Sequence, residues 1–230
     1  GKWARYTYNG IPHAYHSRVA WALFVMADLT SSDLYRETAL RNIRWILSLA
    51  SDNGWIDLMG FSQDELPLTH TIAYTLRGLL ESSHYLEGDL KQQVRGLVIS
   101  NSERIFLKYE KRKRHPNASP EYLAGRFNAK WQSAASFSCL TGNAQIAIIW
   151  LKVYRINSDA RLLNAALKIL DQLKEVQDIS SSNRGIRGGI PGSFPIWGDY
   201  MPWSYPNWAT KFFADALILQ EELMKPLEQR

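Results

Sequence analysis

Helical periodicity runs through almost the whole chain, and it comes in two kinds that alternate. Leu40, Ile43, Leu47 and Ala50 make one apolar stripe, and Leu90, Val94, Leu97 and Val98 make a second. Leu163, Ala166, Leu170 and Leu173 make a third, with Ser158 read as the cap before it. One-sided stripes of this spacing mark helices with a solvent face. Between them lie segments apolar nearly all round, at residues 19–27, 146–154 and 212–219. A helix without a polar face belongs in the interior of a fold. Residues 69–80 are intermediate, small and apolar with Thr, His, Tyr and Arg interspersed. The order is therefore inner, outer, inner, outer, inner, outer, inner. Inner-to-outer connections are short, such as Thr30-Ser31-Ser32 and Asn157-Ser158, whereas residues 51–68, 112–137 and 178–206 are long returns. Stacking such pairs places every long loop at one end, where repeat proteins usually carry their binding face.

The returns also echo one another. Asn53-Gly54-Trp55 precedes His70, Gly125-Arg126-Phe127 precedes Asn143, and Gly188-Gly189-Ile190 precedes Asn207; from Gly54, Gly125 and Gly189 the separations are 16, 18 and 18. The first and last inner segments both read Pro-x7-Ala-x-Ala-Leu, from Pro12 and from Pro206. A period of about 55 to 75 residues is too long for the 34-residue helical repeats.

Paired helices in two concentric layers, with loops such as Asn53-Gly54-Trp55 and Gly188-Gly189-Ile190-Pro191-Gly192-Ser193 at one end, resemble the α/α toroids. That superfamily includes six-hairpin glycosidases, polysaccharide lyases, uronate epimerases and squalene cyclase-like proteins. The resemblance implies an all-α fold of two helical layers and a carbohydrate or isoprenoid ligand. The chain lacks the Asp-x-Asp-Asp type cluster of the terpene cyclases, and Cys139 has no neighbouring His or Asp to build the zinc site of the protein prenyltransferases. About seven long helices make three and a half hairpins, so the expectation is a partial or open toroid. Residues 1–230 then form one such domain or the C-terminal part of a larger one.

Composition narrows the partners. At 46% hydrophobic residues the 230-residue chain can bury one sizeable core, and no apolar run reaches the ~18 residues of a transmembrane helix. The single Cys139 excludes an intramolecular disulfide and reads as a small buried residue. A net charge of +5 permits an anionic partner. The basic run Lys111-Arg112-Lys113-Arg114-His115 follows a helix and has no aromatic neighbours, so it reads as a solvated helix end and no nucleic acid is expected. Asn117-Ala118-Ser119 fits the glycosylation pattern but is followed by Pro120.

If the long loops share one end, the mouth collects the starts of the inner helices. These carry His13, Tyr15, His16 and Arg18, then His70 and Tyr74, then Asn143 and Gln145, then Asn207 and Lys211. His70 and Tyr74 lie four apart on one helical face and can reach a common ligand. Trp55, Trp131, Trp197, Tyr200 and Trp203 supply flat walls suited to the C–H faces of sugars. His13 and His16 lack a third ligand, so no metal and no cofactor is expected. His84 and His115 read as structural.

Two chemistries compete for a glycan. Hydrolysis needs two carboxylates flanking the scissile bond, and the loop candidates Asp57, Asp64, Glu65, Glu121 and Asp199 sit in no distinguishing motif. Elimination from a uronate, or epimerisation at C5, needs a neutral amide or imidazole, a proton acceptor and a cation. His70, Tyr74, Asn143 and Arg18 fit those roles as catalytic candidates, with His13, His16, Trp55, Trp131, Trp197, Tyr200, Trp203, Asn207 and Lys211 as substrate contacts. The leading expectation is a protein acting on a polysaccharide or oligosaccharide, with uronate-containing ones among the candidates. A non-catalytic glycan-binding or assembly module of the same architecture is the alternative, and an isoprenoid-acting toroid is a third.

Overall fold

The computed structural model describes residues 7–113 and 122–228. The described residues hold seven long helices: α1 (Ser17–Thr30), α2 (Asp33–Ser48), α3 (Thr69–Ser82), α4 (Gly88–Lys113), α5 (Leu140–Asn157), α6 (Ala160–Val176) and α7 (Asn207–Glu228). The odd-numbered helices pack side by side in the order α1, α3, α5, α7, and α2, α4 and α6 lie against them as a second layer. The hairpins are tight because α1 and α5 both end on a serine in the left-handed region, Ser31 and Ser158, which turns the chain sharply into the next helix. Ser158 therefore closes α5; Asp159 caps α6, its carboxylate accepting the Arg161 N–H.

The inner layer is unevenly buried. α3, of intermediate character by sequence, is covered on every side except at Tyr74 and Arg77, and α5 is buried over most of its length. Thr71 and Thr75 of α3 are tolerated inside because their hydroxyls bond back to the chain: Thr71 Oγ1 donates to Leu68 O and Thr75 Oγ1 to Thr71 O. α1 and α7, by contrast, do not sit in the middle of the fold as their apolar sequences suggest. Val19 is 54% and Leu29 76% exposed, and Trp208 and Ile218 on α7 also reach solvent. These helices are the two ends of the inner row, each with a neighbour on one side only.

Glycine sets how closely the row packs. A Cβ at Gly78 of α3 would lie 2.2–2.5 Å from Ser17 and the Arg18 backbone N of α1, and one at Gly142 of α5 would lie 2.7 Å from the His70 backbone N. Backbone thus meets backbone at both joints. Ser17 Oγ adds a 2.9 Å bond to Thr75 O across the first of them.

The three long returns meet at the end where the inner helices begin. Ser138–Cys139 (β1) pairs antiparallel with Ser193–Phe194 (β2), and Leu68 bridges Arg126. Asn53 Nδ2 donates to Ala129 O at 2.8 Å, and the Ala14 N–H donates to Leu58 O at 2.9 Å. Backbone groups that helices cannot satisfy at their ends are satisfied loop to loop. The first part of the basic run, Lys111 to Lys113, belongs to the last turn of α4. Arg114, His115, the Asn117-Ala118-Ser119 pattern and Glu121 lie outside the described residues.

Candidate functional site

Each inner helix turns one stripe of side chains toward the others. On α3 the stripe is His70, Tyr74, Arg77 and Glu81, at i, i+4, i+7 and i+11. α1 contributes Arg18 and Trp21, α5 contributes Gln145 and Lys152, and α7 contributes Phe212. The stripes touch. The Arg18 guanidinium carbon lies 4.7 Å from the Tyr74 ring centroid, 5.5 Å from Phe212 and 5.8 Å from Trp21. Cation–π attraction of this kind holds a guanidinium without neutralising it. Among the described residues no carboxylate forms an ion pair with Arg18.

His70 is 5% exposed and packs between two tyrosines, with ring centroids 4.4 Å from Tyr74 and 5.5 Å from Tyr200. Its Nδ1 lies 2.7 Å from Gln145 Nε2, and the same amide nitrogen donates to Thr141 O at 3.2 Å. A carbonyl can only accept, so this nitrogen must be the NH2 end, and it donates to an unprotonated Nδ1. The neutral ring then carries its proton on Nε2. Burial, helped by the positive charge of Arg18, lowers the His70 pKa to about 4. His70 is accordingly a neutral hydrogen-bond donor at physiological pH. Tyr74 is held above its ordinary value by burial, with Arg18 opposing.

The other residues expected at the mouth divide into three groups. Some are committed to the fold. Asn143 is fully buried, with Oδ1 accepting the Leu123 N–H and Nδ2 donating to Cys139 O. Because α5 begins at Leu140, Asn143 lies nearly a turn inside it and turns back to hold the preceding loop, so its amide is not free for a substrate. His13 presents both ring nitrogens to backbone carbonyls, Gly60 O at 3.0 Å and Tyr8 O at 2.8 Å. Trp55 and Trp131 are buried against each other at 5.2 Å, with Trp131 Nε1 donating to Asn53 O. They fill the space between two returns, and Trp55 also borders the cavity beneath the first of them.

A second group is exposed. Trp197 and Trp203 are 64% and 70% exposed and stand 6.1 Å apart at 36°. Asn207 is exposed at the start of α7, and Lys211 lies over Phe212 while pairing with Asp215 at 2.5 Å. The third group packs near His70 or just before α1, with Tyr200 buried and His16 partly buried. Tyr200 packs on His70, and its Oη accepts from Trp208 Nε1 at 2.8 Å while burial raises its pKa to about 12. His16 sits edge-on to His13 and Tyr15, its pKa lowered by burial and by His13.

The carboxylates lie elsewhere. Asp199 is exposed and paired with Arg126 at 3.0 Å. Asp57 and Glu65 stand at the rim of a cavity of about 520 Å³ beneath the first return, floored by Met59 and bounded by Trp55 and Pro67. On the inner stripes the carboxylates are Glu81 and Asp215. Burial pushes the Glu81 pKa up, but Arg77 at 2.5 Å and Lys152 at 2.9 Å outweigh it and hold the group ionised. Among the described residues no three His, Cys, Asp or Glu side chains gather as a metal site, and no helix is long and apolar enough to cross a membrane. Cys139 is buried, which pushes its thiol up to about 12 and leaves it unreactive.

Arg77, Glu81, Lys152, Trp21 and Phe212 were not expected at the site, although the signal was present: the His70–Tyr74 spacing continues for two further turns of α3.

No protein-family model matches the chain, and no curated protein matches it in sequence. Solved structures do match in shape. An α-1,6-mannanase of Salegentibacter sp. HEL1_6, in an inactive variant bound to α-1,6-mannotetrose, superposes with a TM-score of 0.59 at 13% identity, over 93% of this chain and 55% of that one. A polysaccharide lyase gives 0.62 at 14% identity, over 95% and 62%. A glycosyl hydrolase family 88 protein from Bacteroides vulgatus gives 0.61 at 14%, over 92% and 62%. The chain has the α/α-toroid fold. It spans between 55% and 62% of the length of these toroids, consistent with a partial ring of seven long helices among the described residues.

Proposed function

We propose that the protein acts on an acidic glycan, with a uronate carboxylate held by Arg18 and β-elimination as the reaction. The observation that carries this reading is the half-buried Arg18 guanidinium, set among Trp21, Tyr74 and Phe212 with no ion pair among the described residues. A charge removed from water without a counter-ion is costly unless a ligand supplies one. A carboxylate meets that demand bidentately, and the rings around it suit the apolar faces of a pyranose. The mannanase, hydrolase and lyase named above support a glycan as the ligand. An inner face carrying the charges of Arg18, Arg77, Lys152 and Glu81 is a poor host for an isoprenoid.

The roles follow from chemistry. Arg18 neutralises the uronate carboxylate and makes the C5 proton more acidic, and the Nε2–H of His70 donates to the same group or to a ring hydroxyl. The Tyr74 phenolate takes the C5 proton. The freed electron pair forms the C4=C5 double bond, the C4–O bond breaks, and the departing oxygen is protonated by the Tyr74 hydroxyl. Two-carboxylate hydrolysis has less support, since Glu81 is bound by two cations and Asp215 by Lys211.

One observation favours a second reading, binding without cleavage: burial makes Tyr74 hold its proton more tightly than a free tyrosine. A panel of uronate polysaccharides separates the two. Elimination gives the ultraviolet absorbance of an unsaturated uronate, rising with pH as Tyr74 ionises, and absent in Arg18→Gln and Tyr74→Phe. Tight binding with no product at any pH supports the module. New reducing ends without unsaturation would reject elimination.

A further inference from the structure

Below Tyr74 the inner stripes carry a second group of charges that the reaction does not use. Arg77 and Lys152 share one carboxylate, Glu81, whose side chain is almost wholly buried. Two cations on one anion leave a surplus positive charge. Arg77 meets Glu81 through Nε, and among the described residues no hydrogen bond engages the end-on edge of its guanidinium. Its guanidinium carbon lies 5.7 Å from the Trp21 centroid, the same indole that Arg18 approaches at 5.8 Å. Two like charges that close to one ring oppose each other, and Arg77 lowers the pKa of Arg18 for that reason, adding to the larger effect of burial. Along the helix axis Arg77 lies about 10 Å from His70, at roughly 1.5 Å per residue.

We propose that Arg77 and Lys152, tethered by Glu81, form a second anionic subsite that takes the carboxylate of the sugar next to the one held by Arg18. This rests on the acidic-glycan reading above and narrows it to oligosaccharides with uronates on neighbouring residues. Glu81 in this arrangement holds the two cations on the inner face and competes with the ligand for them. It therefore limits affinity while it supports the fold, and that duality makes the proposal testable.

Binding is measured by calorimetry for two probes, a tri-uronate and a trisaccharide of the same length bearing a single uronate. Arg77→Gln, in which Glu81 keeps Lys152, is expected to weaken the tri-uronate about tenfold and leave the singly charged probe within about twofold. Glu81→Gln is expected to tighten the tri-uronate several-fold while lowering the melting temperature, because a merely structural carboxylate would lower both. If both variants shift the two probes alike, or if Glu81→Gln weakens the tri-uronate, the subsite is wrong. Arg18→Gln reports on the underlying reading separately: it should weaken both probes, and unchanged binding of both would remove the acidic-glycan reading itself.

Discussion

The inner row of helices contains two different kinds of helix. α3 and α5 are enclosed, each joined to a neighbour through glycine, and both bury small polar residues, among them Thr71, Thr75, Asn143 and Gln145. α1 is the most apolar of the four in sequence and α3 the least, yet α1, like α7, leaves a flank in solvent. Enclosure thus follows position in the row and not hydrophobicity. A small polar residue can be buried when its hydroxyl or amide bonds locally, and it lets backbones approach more closely than Leu or Ile would. The site is shared between the two kinds: the enclosed pair holds His70, Tyr74 and Gln145 rigidly, and the end helices bring Arg18 and Phe212 across to them.

The sharpest way to break this contrast is at the joints. Gly78→Ala improves helix propensity by up to about 1 kcal/mol, but its Cβ would fall 2.4 Å from the Ser17 carbonyl carbon and 2.5 Å from the Arg18 N. Backbone cannot yield as a side chain does, so α1 must move away from α3. A net loss of about 3 kcal/mol or more is expected in denaturant unfolding, with Arg18 drawn off Tyr74 and any ligand binding lost with it. Unchanged stability would mean that α1 is not locked to α3 and that its open flank reflects loose docking.

Fold and site were not equally legible in the sequence. The alternation of helix types and the long returns at one end appear as expected, because periodicity reports directly on burial of a face. The meeting of Arg18, His70 and Tyr74 follows from their places at helix starts. Asn143 is spent on the fold, because its amide holds Leu123 and Cys139. α5 begins three residues earlier, and Gln145 occupies the position beside His70 instead. Trp55 and Trp131 could not be told from wall residues, since an indole that plugs a core and one that lines a cleft have the same local sequence. The Arg77–Glu81–Lys152 group depends on a contact between α3 and α5, which no local pattern reveals.

A second expected effect tests how enclosed α3 is. The His70 pKa falls from 6.5 to about 4 on folding, so between those values the unfolded chain binds more protons than the folded one. The stability due to a neutral His70 is therefore complete above about pH 6.5 and is lost as the pH falls through 4, by roughly 3 kcal/mol in all. Urea melts of the protein and of His70→Leu across pH 7 to 4 isolate the term, because other titrating groups cancel in the difference. A pH-independent difference would mean that His70 is solvated and that its surroundings are more open than the packing of Tyr74 and Tyr200 indicates.

The smallest expected effect bears on the end helices. Met26 and Ile218 reach solvent from α1 and α7 respectively, and exposed apolar side chains contribute little to stability when nothing covers them. Met26→Gln and Ile218→Thr should each change unfolding stability by less than about 0.5 kcal/mol. The contrast is with Gly78→Ala on α3, which presses on the enclosed side of α1 at Ser17 and Arg18. If Met26→Gln costs more than about 1 kcal/mol, the flank is covered in solution, and the difference between enclosed and end helices belongs to the described residues alone and not to the molecule at work. A cost that falls on dilution would identify the cover as a second copy, since only an association equilibrium makes stability depend on concentration.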